Sequence, residues 1–89
     1  MTRHLYIYGK VQGVGFRYYF SEQARRLGVA GWVRNRRGGN VEAMIEGTPE
    51  AVGALIAWAR LGPQGSQVER VEDSAAEGAF IGFELRPTQ

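Results

Sequence analysis

The spacing of apolar residues changes period four times within 89 residues, and this switching constrains the possible fold more tightly than composition does. Residues 4–10 alternate, with Leu5 and Ile7 on one side and His4, Tyr6 and Tyr8 on the other. That pattern predicts a half-buried strand. From Phe16 the spacing becomes helical: Phe16, Phe20, Ala24 and Leu27 form one stripe, which Gly28 ends. Residues 30–37 and 40–46 predict two more strands, joined at Gly38-Gly39, a dipeptide that readily takes positive φ. In the second of these, Val41, Ala43 and Ile45 face one way and Glu42, Met44 and Glu46 the other. The alternating glutamates are expected on a solvated face.

Thr48-Pro49-Glu50 reads as a helix start, with a hydroxyl cap, a first-turn proline and an acid near the positive end of the dipole. The helix is expected to run to about Leu61, burying Val52, Leu55, Ile56 and Ala59, and to stop at Gly62-Pro63. Val68 to about Ser74 predicts a weaker strand. Phe80 to Arg86 predicts a clearer one, with Ile81, Phe83 and Leu85 inward. The order is β-α-β-β-α-β with a fifth strand. It fits an α+β fold, a ferredoxin-like split βαβ sandwich: an antiparallel sheet of four to five strands with two helices on one face. Right-handed crossovers would make the first and third strands central neighbours. Residues 1–89 are expected to form a single domain. Such a fold serves many functions, so the chemistry must come from a site.

The absence of cysteine excludes disulfides, thiolate metal sites and cysteine nucleophiles. No apolar run approaches the ~18 residues of a membrane span, and MTRHLYIYGK is too short and polar for a secretory signal. A cytoplasmic protein is the expectation. The net charge of +2 conceals an asymmetry. Residues 1–40 hold Arg3, Lys10, Arg17, Arg25, Arg26, Arg34, Arg36 and Arg37 against Glu22 alone, whereas residues 41–89 are net acidic. A positive region of this kind attracts anions, although a solvated basic helix face would look the same.

Within the basic half lies GKVQGVGFR, residues 9–17, between a predicted strand and a predicted helix. Glycines at 13 and 15 let successive N–H groups turn inward as an anion-binding nest, and the following helix adds the positive end of its dipole. Arg17, in the first helical turn, is unfavourable for that dipole and needs another reason to be there. An anion gripped by its planar fork supplies one. The loop is neither a Walker A sequence nor a GxGxxG dinucleotide fingerprint. From chemistry alone it supports either a phosphate cradle or a merely structural turn.

Two blocks in order, GKVQGVGFR and GWVRNRRGGNVE (residues 31–42), resemble the signatures of the acylphosphatases. The similarity continues through Gly47, Gly62-Pro63, Val68-x-x-Val71 and Gly82-Phe83-Glu84-Leu85. The resemblance implies hydrolysis of the carboxyl–phosphate bond of a small acyl phosphate, without metal or cofactor. By motif position it implies that Arg17 binds the phosphate and Asn35 holds the attacking water. Backbone N–H groups of Gln12, Gly13, Val14, Gly15 and Phe16 would complete the cradle, with Val14, Gly15 and Phe16 the donors nearest the arginine. The chemistry agrees. A carboxylate leaves readily, so the work is to hold the phosphoryl group and aim a water. An asparagine can do the aiming with its carbonyl and amide, though it is no strong base. Relatives often carry Asp-Gly where this chain has Gly38-Gly39, and Arg36-Arg37 makes the turn after Asn35 more basic than in many of them.

His4 lies away from both blocks and reads as a surface or satisfied histidine; Asp73, the only aspartate, cannot form an aspartyl-nucleophile pair. No residues have metal-ligand spacing. Trp32 and Trp58 read as core or rim. A non-catalytic phosphate-binding or regulatory domain is the first rival. Acylphosphatase-like domains also begin large carbamoyl-transfer proteins, but those continue into cysteine-rich zinc segments, so a free-standing enzyme is expected. The second rival is an RNA-binding module, with Tyr6 and Tyr8 as stacking groups. It lacks the aromatics needed on the third strand, where Glu42 and Glu46 would repel a nucleic-acid backbone. The expectation is a monomer acting on a small molecule, with neither nucleic acid nor membrane as partner.

Overall fold

The alternating stretches pair into one sheet, and the two helical stripes cover one of its faces. A computed structural model describes all 89 residues, in the order β1 (Thr2–Lys10), α1 (Phe16–Leu27), β2 (Ala30–Asn35), β3 (Val41–Glu46), α2 (Pro49–Leu61), β4 (Gln67–Ala75) and β5 (Phe83–Arg86). The sheet order is β4-β1-β3-β2-β5, so β1 and β3 are central neighbours, as the crossover rule requires. Leu5, Ile7, Val41, Ala43 and Ile45 point from these two strands into the core. They meet Phe16, Phe20 and Ala24 of α1 and Val52, Leu55 and Ala59 of α2. Thr48 caps α2 by accepting from the Ala51 N–H at 3.1 Å, with Pro49 in the first turn. Ile56 is only half-buried, and Trp58 packs beside the core against Phe16, with ring centres 5.5 Å apart. No helix is long and apolar enough to cross a membrane.

Three expectations need correction. The sheet is mixed: β5 runs parallel to β2, while every other pairing is antiparallel. The connection from β4 crosses beneath the start of β1, where the Ala76 N–H donates to the Thr2 carbonyl. It reaches the far edge at the end where β2 begins, so β5 must run alongside β2. Second, β5 starts at Phe83 rather than Phe80, and only Phe83 points into the core. Ile81 precedes the strand and is fully exposed, and Leu85 is 45% exposed. Third, β2 ends at Asn35 and β3 begins at Val41, so the turn occupies residues 36–40 and only Gly39 takes positive φ. Of the tryptophans, Trp32 lies on the helix-free face between the guanidinium groups of Arg34 and Arg86, at 4.6 and 4.8 Å.

Candidate active site

Val11 is buried at the end of β1 and Phe16 is buried at the start of α1, so residues 12–15 must bridge two fixed anchors. They do so with left-handed backbone at Gly13 (φ 74°) and Gly15 (φ 77°), conformations that an L side chain resists. Gly15 is also the helix N-cap, and neither a side-chain cap nor an acidic residue neutralises the first turn. No backbone N–H of residues 12–15 donates to any carbonyl in the turns and loops. The N–H groups of Phe16 and Arg17 open the helix, where no intrahelical carbonyl can reach them. A row of donors is thus left without protein acceptors at the positive end of a helix dipole.

Arg17 and Asn35 meet at this loop. Together with Val11, Gln12, Gly13, Gly15, Phe16, Tyr18 and Leu85 they line one cavity of about 330 Å³. The guanidinium of Arg17 donates from Nη1 to the Arg86 carbonyl at 3.1 Å and joins none of the molecule's ion pairs. Its charge is held in place yet uncompensated. Asn35 is the last residue of β2, paired with Val41, and its carbonyl accepts from the Gln89 N–H at 3.0 Å. Strand alternation puts its side chain on the same face as buried Val33, toward the cavity. Both predicted side chains and four of the five predicted loop residues line this space; the side chain of Val14 packs against the core, while its backbone N–H is among those without a carbonyl acceptor.

Gln12 makes contacts that the sequence did not suggest. Its side-chain amide donates to the carbonyls of Arg36 at 2.7 Å and Asn40 at 2.8 Å, tying the loop to the β2–β3 turn just beyond Asn35. Leu85, expected in the core, instead joins Tyr18 as exposed apolar surface of the cavity. His4 lies on the opposite side of the sheet, where Nε2 and the Glu42 carboxylate are 2.6 Å apart.

Glu42 corrects the expectation of a solvated face. It is 4% exposed and also accepts from Arg34 Nε at 2.7 Å and Arg36 Nη1 at 3.0 Å. Burial alone would raise its pKa, but the hydrogen bonds from His4, Arg34 and Arg36 outweigh that and hold it at about 2. Part of the sequence's charge asymmetry is therefore internal pairing: Arg3 with Asp73, and Arg34 and Arg36 with Glu42. Arg17 is outside that pairing.

Because the folded pKa of Glu42 lies below its unfolded value, its stabilisation is complete above pH ~4.5 and is lost as the pH falls toward 2. The loss amounts to about 3 kcal/mol. Urea unfolding of the parent should reveal this decline over that window, and Glu42→Gln should flatten it. An equally steep decline in the variant would assign the acid sensitivity to other carboxylates.

Known proteins resemble the chain along most of its length. The family model described as Acylphosphatase matches residues 3–85. The chain belongs to the acylphosphatase family. It is 58% identical over 85 residues to an acylphosphatase of Thiobacillus denitrificans, an alignment covering 96% of each chain. It is 64% identical over 69 residues to one from Thermococcus kodakarensis, covering 78% of this chain and 76% of the relative. The solved structure of an acylphosphatase from Coxiella burnetii superimposes with a TM-score of 0.91 at 31% identity, covering 96% of this chain and 90% of that one. Membership of the acylphosphatase family makes the chain a hydrolase of acyl phosphates and its sandwich the family's ferredoxin-like fold.

Proposed function

We propose that the cavity between the 12–16 loop and the end of β2 hydrolyses acyl phosphates by in-line attack of water, with Arg17 and the loop N–H groups binding the phosphoryl group and Asn35 holding the water. The observation that carries this is the convergence on one cavity of unpartnered N–H donors, a guanidinium with no carboxylate partner, and a strand-end asparagine. The dianionic phosphoryl group lies in the nest, its equatorial oxygens facing the N–H groups and the Arg17 fork. The Arg86 carbonyl keeps that fork from swinging into solvent.

The Asn35 side chain orients the water through its carbonyl and amide, opposite the departing oxygen. A P–O bond to water forms as the bond to the acyl oxygen breaks. The carboxylate leaves with that electron pair, and a phosphate oxygen takes the water's proton. No side chain has to titrate and no metal enters any step. Tyr18 and Leu85 offer apolar surface beside the cradle for the acyl portion. The scheme requires groups from one chain only, so it needs no more than a monomer. The rings a nucleic acid would stack on are already covered, Tyr8 by Arg70 at 4.0 Å and Tyr6 by Arg36 at 5.8 Å. That favours the small-molecule substrate.

Benzoyl phosphate with excess chelator is the test. The parent should release phosphate at an undiminished rate and leave a simple phosphate monoester untouched. Loss of turnover on chelation would overturn the metal-free scheme. Phosphate binding without any turnover would make this a binding domain.

A further inference from the structure

Glu42 is buried on the face of the sheet opposite the cavity, and its partners include the two residues that flank Asn35. In β3 it stands directly across from Arg34 of β2 and Tyr6 of β1. One oxygen, Oε1, accepts from both Arg34 Nε and Arg36 Nη1, while Oε2 faces His4 Nε2. Arg34 and Arg36 therefore point one way while Asn35, between them, points into the cavity. The pairing of Asn35 with Val41 is the last of the β2–β3 ladder, and beyond it Arg36 belongs to the turn. The Arg36 side chain is held by Glu42, its N–H donates to the Asn40 carbonyl, and its own carbonyl accepts from the Gly39 N–H and from Gln12 of the phosphate loop. A continuous path of contacts thus runs from Glu42 through Arg36 and Gln12 to the loop, with Asn35 at its edge.

We propose that Glu42 is a positioning residue for acyl phosphate hydrolysis: by clamping Arg34 and Arg36 across the sheet it sets where Asn35 stands relative to the phosphate loop. This rests on the function argued above. Without the carboxylate, two neighbouring guanidinium groups lose their shared counter-charge and repel each other. The segment that responds is the strand end that carries Asn35, and because its pairing with Val41 and the Gln89 N–H still hold it, the displacement is small. Small displacements of a water-orienting group cost turnover and leave ground-state binding nearly intact. Arg17 is anchored separately by the Arg86 carbonyl, and the 12–16 loop is fixed by buried Val11 and Phe16 at its two ends as well as by the Gln12 tether, so phosphate binding should change far less than turnover.

The test is a double-mutant cycle on benzoyl phosphate with inorganic phosphate as inhibitor, using Glu42→Gln and Asn35→Ala. Glu42→Gln keeps the shape of the side chain. It should lower kcat by about tenfold while Ki for inorganic phosphate stays within about threefold. In the Asn35→Ala background the same substitution should lower kcat no further, because its effect passes through Asn35. A merely structural carboxylate would lower the melting temperature and leave kcat of the folded enzyme unchanged, which would overturn the proposal. An undiminished effect in the Asn35→Ala background would overturn it too. Arg36→Met removes one arm of the clamp while leaving Glu42 paired, and should give the same masked loss of kcat if Glu42→Gln does not fold. Should the parent itself fail to hydrolyse benzoyl phosphate, the function falls and this role with it. A parent that turns over normally, with kcat insensitive to both substitutions, removes only the role of Glu42.

Discussion

Arg17→Ala should lower kcat/KM for benzoyl phosphate by about 10³-fold or more, with binding of inorganic phosphate lost alongside turnover. The size follows from the isolation of this charge. Arg17 shares no ion pair, so its field is directed undiminished at the cavity, and its contact with the Arg86 carbonyl fixes the fork in advance. Arg17→Lys should recover only part of the loss, since an ammonium offers a point charge without the planar pair of donors. The unliganded fold should barely notice Arg17→Ala. A hydrogen bond worth about 1 kcal/mol disappears. So does a cation at a helix N-terminus, which opposes the dipole by about 0.3–1 kcal/mol. Activity and stability should thus separate at this residue. Isothermal titration with phosphate beside steady-state kinetics checks both, and retained phosphate affinity would move the anion site elsewhere.

That separation explains why the site was legible in the sequence. An arginine in an uncapped first turn is locally unfavourable and glycines at 13 and 15 permit left-handed backbone, so the loop stands out without coordinates. The choice of a phosphate cradle over a structural turn, by contrast, came from the family resemblance. The strand and helix periods were legible for a related reason. Leu5, Ile7, Val41, Ala43 and Ile45 alternate because one face of the central strands is entirely covered. Where cover is partial, alternation misleads. Leu85 has the inward phase, but the layer above it is the open cavity, so it becomes part of the site instead of the core.

Glu42 illustrates the opposite limit. Its phase is outward, yet His4 from one neighbouring strand, Arg34 from the other and Arg36 from the turn beyond it close over it. Which strands are neighbours, and in what register, is a non-local property that one strand's pattern does not carry. The tether from Gln12 was hidden similarly, because its acceptors are two carbonyls some 24 and 28 residues away. The parallel pairing of β5 depends on the path of the 76–82 connection across the sheet, and that path is fixed only once β4 is on the far edge.

Asn35→Ala should be the complement of Arg17→Ala: kcat down by about 10²-fold or more, with KM and the inhibition constant of inorganic phosphate little changed. The phosphoryl-binding groups are all elsewhere, on the 12–16 loop and Arg17, and none of their hydrogen bonds involves the Asn35 side chain. The backbone of residue 35 would still pair with Val41 and still accept from Gln89, so the strand end should keep its place. Asn35→Asp tests the same assignment from the side of charge. A carboxylate could still accept a hydrogen bond from water, but it would face an incoming phosphate dianion and raise KM by repulsion. Loss of phosphate affinity in Asn35→Ala equal to that in Arg17→Ala would dissolve the division between clamp and water holder. Loss of turnover alone would confine the role of Asn35 to the attacking water, because only an interaction made at the transition state can be removed without weakening the ground state.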